Sequence, residues 1–334
     1  MFADPHWCSY SSIVTSRGEV YSTRLEYLIK SMNFVEDTAR KYDCASVFCL
    51  GDFFDKAVLN SEEITSLTEI NWSDMPHVFI VGNHEVNMSD VFYNSAQLFN
   101  LIPSCTVIDK PIQYELDSKM IAFLPYIGNN RSYKISDYLD DTTLPRVIFS
   151  HNNIKGVQLG KFISTDGFDI NDIENNCDWF FNGHLHNTGY IGNSNKILNI
   201  GNLCGQNFSE DAFKYKHCVY VFDTDTFVLD AVVNPYALNF YKLDLVNDDV
   251  SILNSLQNNV VCTIKCKSSK KDELKKIFSN VVASRFIIEN DAVILNDDTF
   301  VSVDHYKQFE EFVLSKFGED NPKVLDELQK VIAV

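Results

Sequence analysis

The sequence is short of positive charge, of histidine and of long apolar runs. Its 28 lysines and arginines face 46 aspartates and glutamates, for a formal net charge of −18. That balance counts against a broad phosphate-neutralising surface. A carboxylate-rich site also adds negative charge, and polyanion binding can be local, so net charge decides nothing by itself. No apolar run reaches the ~18 residues of a membrane-spanning helix. The start, Met1-Phe-Ala-Asp-Pro-His6, lacks the basic and apolar regions of a secretory signal. The nine cysteines are odd in number and include no Cys-x-x-Cys pair. Free thiols in a reducing cytoplasm fit this better than a disulfide framework. No Gly-x-x-x-x-Gly-Lys-Ser/Thr loop is present, so any ATP dependence must come from another chain.

What is there belongs to a soluble globular protein, 45% hydrophobic and 22% charged over 334 residues. That length accommodates one large domain and a smaller one. Short apolar runs end in turn residues: Val47-Phe-Cys-Leu before Gly51-Asp52, Val78-Phe-Ile-Val before Gly82-Asn83, Arg146-Val-Ile-Phe before Ser150-His151, and Trp179-Phe-Phe before Asn182-Gly183. Such runs read as buried strands. A helix is expected where Leu25, Leu28, Ile29, Met32 and Val35 keep helical spacing, with Thr23-Arg-Leu-Glu26 as its capping box. The arrangement is a layered α/β sandwich. Strands at 196–201, 217–222 and 227–233 follow, with Asn234-Pro235 as a boundary.

From about Phe240 a smaller α/β unit is expected. Its strands are at 260–267, 285–288 and 292–295, and its helix at 270–283 places Leu274, Ile277, Phe278 and Val281 on one stripe. The chain then reads as a helical hairpin. Tyr306, Phe309, Val313 and Phe317 form one stripe, and Leu325, Leu328 and Val331-Ile332 form another after Asn321-Pro322. These stripes either cover the preceding unit or dock a partner.

Five of the eight histidines fall in the turn segments: Asp4-Pro-His6, Gly82-Asn83-His84-Glu85, Ser150-His151 and Gly183-His184-Leu-His186. With Gly51-Asp52-Phe-Phe-Asp55 they supply imidazoles, carboxylates and an amide, the donor set of a pair of divalent transition ions. Residues i and i+2 of an extended segment face alike, so Asp4 with His6, and His184 with His186, can act together. Two metals about 3.5–4 Å apart can clamp the attacking and leaving oxygens of a phosphate ester. An imidazole-rich shell favours Mn²⁺ or Fe²⁺ over Mg²⁺.

This ordered set resembles that of the calcineurin-like metallophosphoesterases, over roughly residues 1–235. The resemblance implies Asp4, His6, Asp52 and His186 around one ion and Asp52, Asn83, His151 and His184 around the other. His84 is then the non-ligand histidine that orients the phosphate or assists the leaving oxygen, supported by Glu85, and Asp55 stands behind the ligands. Within the superfamily the chain looks most like the SbcD-type nucleases of bacteria and bacteriophages. This rests on the segment from Ser12 to Lys30, the small unit at 240–298 (a DNA-capping domain in that family) and the hairpin at 302–334. The implied activity is Mn²⁺-dependent exo- and endonucleolytic cleavage of DNA. The implied partners are an SMC-like ATPase held by the hairpin and a second copy of the chain. Lys265, Lys267, Lys270 and Lys271 are the residues proposed to touch DNA; their other reading is a solvated helix face.

Two departures from the family pattern carry expectations. Only Met1-Phe-Ala precede Asp4, so either the start lies upstream or the first strand is short and Asp4 and His6 are held less firmly. Glu85 stands where nuclease relatives usually carry Asp. Gly-Asn-His-Glu is also the spelling of Ser/Thr protein phosphatases, but Lys56 and Trp7 replace the Arg and Gly those enzymes carry. Small-molecule phosphodiesterases fit the metal motifs equally but leave the tail unexplained. A catalytically silent scaffold is opposed by the intact ligand set.

Overall fold

The computed structural model describes residues 1–87, 90–128, 133–159, 162–247 and 250–289. The expected strand at 292–295 and hairpin at 302–334 lie outside the described residues. Two sheets face each other. One has three parallel strands in the order Val47–Cys49, His77–Ile80, Cys105–Ile108. The other has six, in the order Gly189–Ile191, Ile197–Asn199, Trp179–Asn182, Arg146–Ser150, Lys119–Leu124, Ile112–Leu116. Its four inner strands run parallel and its two edges antiparallel.

Between the sheets lie Ala3, Leu50 and Ile80 from one side and Ile121, Phe123, Val147, Phe149, Phe181 and Leu198 from the other. Side chains alternate along a strand, so Ala122, Ile148, Phe180 and Ile197 point outward. There they pack with Ile135 and Ile173 of short helical segments and with Leu139. On the far side of the three-stranded sheet the helix Thr23–Lys41 buries Leu25, Leu28, Met32 and Val35 against Val47, Phe53 and Phe79. The layering is helix, sheet, sheet, helix, as the strand patterns imply. The helix begins one residue earlier than its expected box. Ser22 is the N-cap, accepting from the Leu25 N–H, and the Glu26 carboxylate accepts from Val20 rather than closing a box with Thr23.

The first segment is not loosely held. Phe2 and Trp7 bridge Cys49 and Phe54 in parallel, and the N–H groups of Phe2, Asp4, His6 and Trp7 donate to the carbonyls of Phe48, Gly51, Asp52 and Phe53. Asp4 is 0% and His6 1% exposed. The expectation of weak fixation is therefore corrected. Pairing with the neighbouring strand continues through residue 7, past the two ligands, so the length of chain before Asp4 does not limit it.

Strands Cys218–Phe222 and Leu229–Val233 form the expected hairpin, its turn closed by Asp223 accepting from Asp225 and Thr226. Beyond it, Asn239–Asp244, Val260–Lys267 and Ala283–Glu289 make a parallel three-stranded sheet. Phe240 and Val261 join the core beneath the first helix. The helix of this unit is shorter than expected, Lys271–Ile277, followed by a 3-10 turn. Leu274 and Phe278 are buried, but Ile277 is 53% exposed. Adjacent helical residues differ by about 100°, so a core direction set by 274 and 278 turns 277 outward. All nine cysteines are free thiols. Among the described residues no helix is long and apolar enough to cross a membrane.

Candidate metal centre

Four of the five motifs lie at the C-terminal ends of strands that run parallel within each sheet, and the fifth, Asp4-Pro-His6, pairs alongside the first of them, so the motifs meet on one edge of the two-sheet stack, where α/β folds place their sites. Close packing there demands glycine. A Cβ on Gly82 would stand 2.1 Å from Asp52 Oδ1, and one on Gly51, whose φ is +91°, 2.2 Å from His151 Nδ1. Asp4, His6, Asp52 and His184 all adopt left-handed backbone conformations, with φ from 49° to 74°. Such conformations cost of order 1–3 kcal/mol each for non-glycine residues. Four of them on four expected ligands mark the edge as a place where side-chain direction outweighs backbone comfort.

The histidines share one design. Each has one ring nitrogen held from behind, so that the other turns inward. His6 Nδ1 faces Asp55 Oδ1 at 2.9 Å, His151 Nδ1 the Leu50 carbonyl at 2.7 Å and His186 Nδ1 Glu210 Oε1 at 3.2 Å. His184 Nε2 faces Asn153 Oδ1 at 2.8 Å, which leaves its Nδ1 2.9 Å from Asn83 Oδ1. On the inner side His6 Nε2 is buried without a hydrogen-bond partner, 3.8 Å from Asp4 Oδ1 and 3.7 Å from Asp52 Oδ2. His151 Nε2 lies 3.1 Å from Asp52 Oδ2 and 3.2 Å from Asn83 Oδ1.

Lone-pair atoms therefore converge at two places that share Asp52. Donor atoms of Asp4, His6 and His186 lie within 4.8 Å of one another, as do those of Asp52, His151 and His184. This is what a cation requires and what a metal-free core would avoid, because a buried polar atom without a partner costs about 1–3 kcal/mol. The residues fit divalent cations. All seven expected ligands are brought together: Asp4, His6, Asp52, Asn83, His151, His184 and His186.

The electrostatics agree. Burial alone would lower the pKa of His6, but the neighbouring carboxylates of Asp4, Asp55 and Asp52 lift it to about 10. His151 is likewise pulled down by burial and lifted to about 9 by Asp52. Desolvation and the nearby His151 hold His184 down to about 4, neutral and ready to ligate. Asp52 is held far below the carboxylate range; burial opposes this, and His151, His6 and His84 outweigh it. The carboxylates thus attract positive charge to the places where the imidazoles converge, and a cation competes there with protons.

His84 stands at the mouth, its side chain 43% exposed. Its N–H donates to Asp52 Oδ1 at 2.9 Å, and its Nδ1 donates to the Asp55 carbonyl at 3.0 Å, so that bond does not engage Nε2. It also approaches His6 and Asp52 closely enough to be grouped with them. With Nδ1 committed to a carbonyl and the ring open to solvent, it is the member of the set best placed to meet a phosphoryl oxygen. Glu85 does not support the His84 ring. It is fully buried, and its carboxylate accepts from the N–H groups of Gly82 (2.7 Å) and Phe54 (3.2 Å), tying two motif loops together. Burial, then the charge of Asp52, pushes its pKa up to about 7.

Three supports were not anticipated from sequence: Glu210, Asn153 and a buried asparagine network. Asn199 donates to the carbonyls of Leu185 and Asn187, and Asn152 to those of Leu124 and Pro125, fixing the loops that carry the ligands. The lysines named for DNA contact lie elsewhere, on the 260–276 segment. Lys265 is bound between Asp244 (3.5 Å) and Glu289 (2.5 Å), so its charge is already committed. Lys270 forms an exposed pair with Glu273, of a kind worth little.

The chain belongs to the calcineurin-like phosphoesterase family, whose model matches residues 1–188. No curated protein matches the chain. Membership fits a metal-dependent phosphoesterase, and the Asp and His clusters of this edge are candidates to hold its metal. Glu210 lies beyond the matched residues yet backs one of the ligands.

Proposed function

We propose that the chain is a Mn²⁺-dependent DNA nuclease of the SbcD type that works with an SMC-like ATPase in the cytoplasm as a dimer, processing DNA ends. The observation that carries the choice of a diester over a monoester is the fate of Lys56. It follows the Gly-Asp-x-x-Asp motif, where protein phosphatases carry a phosphate-binding arginine, and its Nζ is held 2.8 Å from the buried Glu63 carboxylate. Trp7, at the other substituted position, is buried, with its indole donating to the Glu63 carbonyl and Ser66. A phosphomonoester dianion would lack that cationic clamp, whereas a diester carries a single negative charge.

Divalent cations held by Asp4, His6, Asp52, Asn83, His151, His184 and His186 would supply positive charge to a phosphoryl oxygen and make water a better nucleophile. The chain's own residues do the rest. Asp55, Glu210, the Leu50 carbonyl and Asn153 orient the four imidazoles. When both its ring nitrogens carry hydrogen, His84 donates from Nε2 to the charge that builds on the phosphoryl or leaving oxygen. The test is the purified chain with Mn²⁺ on single- and double-stranded DNA, a phosphoserine peptide and bis-p-nitrophenyl phosphate. DNA and the simple diester should be cleaved and the peptide spared. Peptide turnover with DNA left intact would favour the phosphatase reading, and turnover of the simple diester alone a small-molecule diesterase.

A further inference from the structure

A cavity of 390 Å³ opens directly beside the metal centre, with His184 and His186 forming part of its wall. The rest of that wall includes Asn187, Tyr190, Ser209 and Tyr215. Among the described residues lining it, none is Asp, Glu, Lys or Arg. Tyr190 sits on the edge strand of the six-stranded sheet, opposite Leu198, and is 52% exposed. The floor is rigid. Asn199 fixes the backbone at Leu185 and Asn187, and the Thr188 hydroxyl bonds the Asn199 carbonyl and the Tyr220 hydroxyl.

The geometry points to a nucleoside subsite: the base and sugar on one side of the scissile phosphate enter this cavity while the phosphate lies at the histidines. The chemistry divides accordingly. The charged edge takes the anion, and the uncharged cavity supplies phenol rings for stacking and amide and hydroxyl groups for a heterocycle's polar edge. Its volume falls within the ~300–1,000 Å³ of small-ligand sites, room for one nucleoside and not for a duplex. The base must therefore leave its stack to enter, as in other enzymes that act at single nucleotides. An acidic phosphopeptide would find neither a cation nor an extended groove in it.

This inference rests on the diesterase reading, and the experiment separates the two. Full-length chain with Mn²⁺ is assayed on thymidine 5′-p-nitrophenyl phosphate and on methyl p-nitrophenyl phosphate, which share a leaving group and differ only by the nucleoside. The thymidine ester should have the higher kcat/KM. Tyr190→Ala and Tyr215→Ala should each reduce that advantage about tenfold, within the range for base–aromatic stacking. They should leave the methyl ester unchanged and weaken inhibition by thymidine 5′-monophosphate to the same degree. Tyr190→Phe and Tyr215→Phe, which keep the ring, should retain the advantage and show that the alanine variants lost stacking rather than fold. Equal rates on both esters, or alanine variants that affect both esters alike, would overturn the subsite even if DNA is cut. A tyrosine-dependent advantage with DNA left intact would uphold the subsite and overturn the nuclease.

Discussion

Replacing Glu210 tests whether the residues behind the ligands matter as much as the ligands. Its carboxylate takes His186 Nδ1 at 3.2 Å and also accepts from Asn202 Nδ2 and the Gln206 N–H, so it fixes both the imidazole and the loop beneath it. Loss of such a backing group commonly weakens metal affinity 10–100-fold, about 1.4–2.7 kcal/mol. Glu210→Gln keeps the shape and one acceptor but removes the charge that favours a ligating imidazole, so about tenfold is expected. Glu210→Ala also frees the ring to rotate, and about a hundredfold is expected. Only the site built from Asp4, His6 and His186 should suffer. The one formed by Asp52, Asn83, His151 and His184 has its own supports in Leu50 and Asn153. Calorimetric titration with Mn²⁺ should therefore change from two tight events to one tight and one weak. Thermal melting of the metal-free Gln variant should stay close to wild type, because the loop contacts survive. Two tight events in both variants would refute the reasoning.

His84→Ala should keep its metal content and lose about 10²–10³ in rate, whereas His184→Ala should lose metal; metal analysis beside kinetics on both variants checks the division of labour. Away from the site, Glu36 and His77 form a buried pair at 2.8 Å. Burial opposes ionisation of Glu36, but the bonds from His77 and Ser73 prevail and hold its pKa below the ordinary value of 4.5. Because the folded pKa is depressed, the pair's stabilisation is present above the unfolded pKa and lost as pH falls through the folded one. Melting temperature should drop steeply below about pH 4.5, and Glu36→Gln should flatten that limb while melting lower at neutral pH. Deleting residues 302–334 should spare hydrolysis of a simple diester and abolish co-purification with an SMC-like ATPase, with melting curves to show that the truncated chain still folds.

The strands that lead into Asp52, Asn83, His151 and His184 were legible because each is a short apolar run closed by Gly, Ser or Asn, and burial of both faces leaves that signature; the strands Cys105–Ile108, Ile112–Leu116, Lys119–Leu124 and Gly189–Ile191, which carry no motif, were not read. The ligands were legible because metal chemistry restricts residue types. Their supports were not. Glu210 is one carboxylate among 46 acidic residues, and only the fold brings it to His186. Glu85 was legible as important and misread as to contact, since its spacing from His84 says nothing about a carboxylate turning back to Gly82. Ser22 beats Thr23 as the cap because both residue types serve, and the choice depends on where residues 16–22 enter the helix.

The ligands come from both faces of the seam between the sheets, with Asp4, Asp52 and Asn83 on one side and His151, His184 and His186 on the other. The segments involved span residues 4 to 186, so the cage can close only after more than half of the 334-residue chain has been threaded into place. Contacts of such long sequence separation form late and slowly. A bound ion is then a clasp between two halves that the chain otherwise joins through apolar packing. At a hundredfold excess over its dissociation constant each ion adds about 2.7 kcal/mol to the native state. Chelation would therefore do more than silence the enzyme. It would loosen the seam, and cuts by a protease in metal-free protein should cluster in the loops that carry these residues.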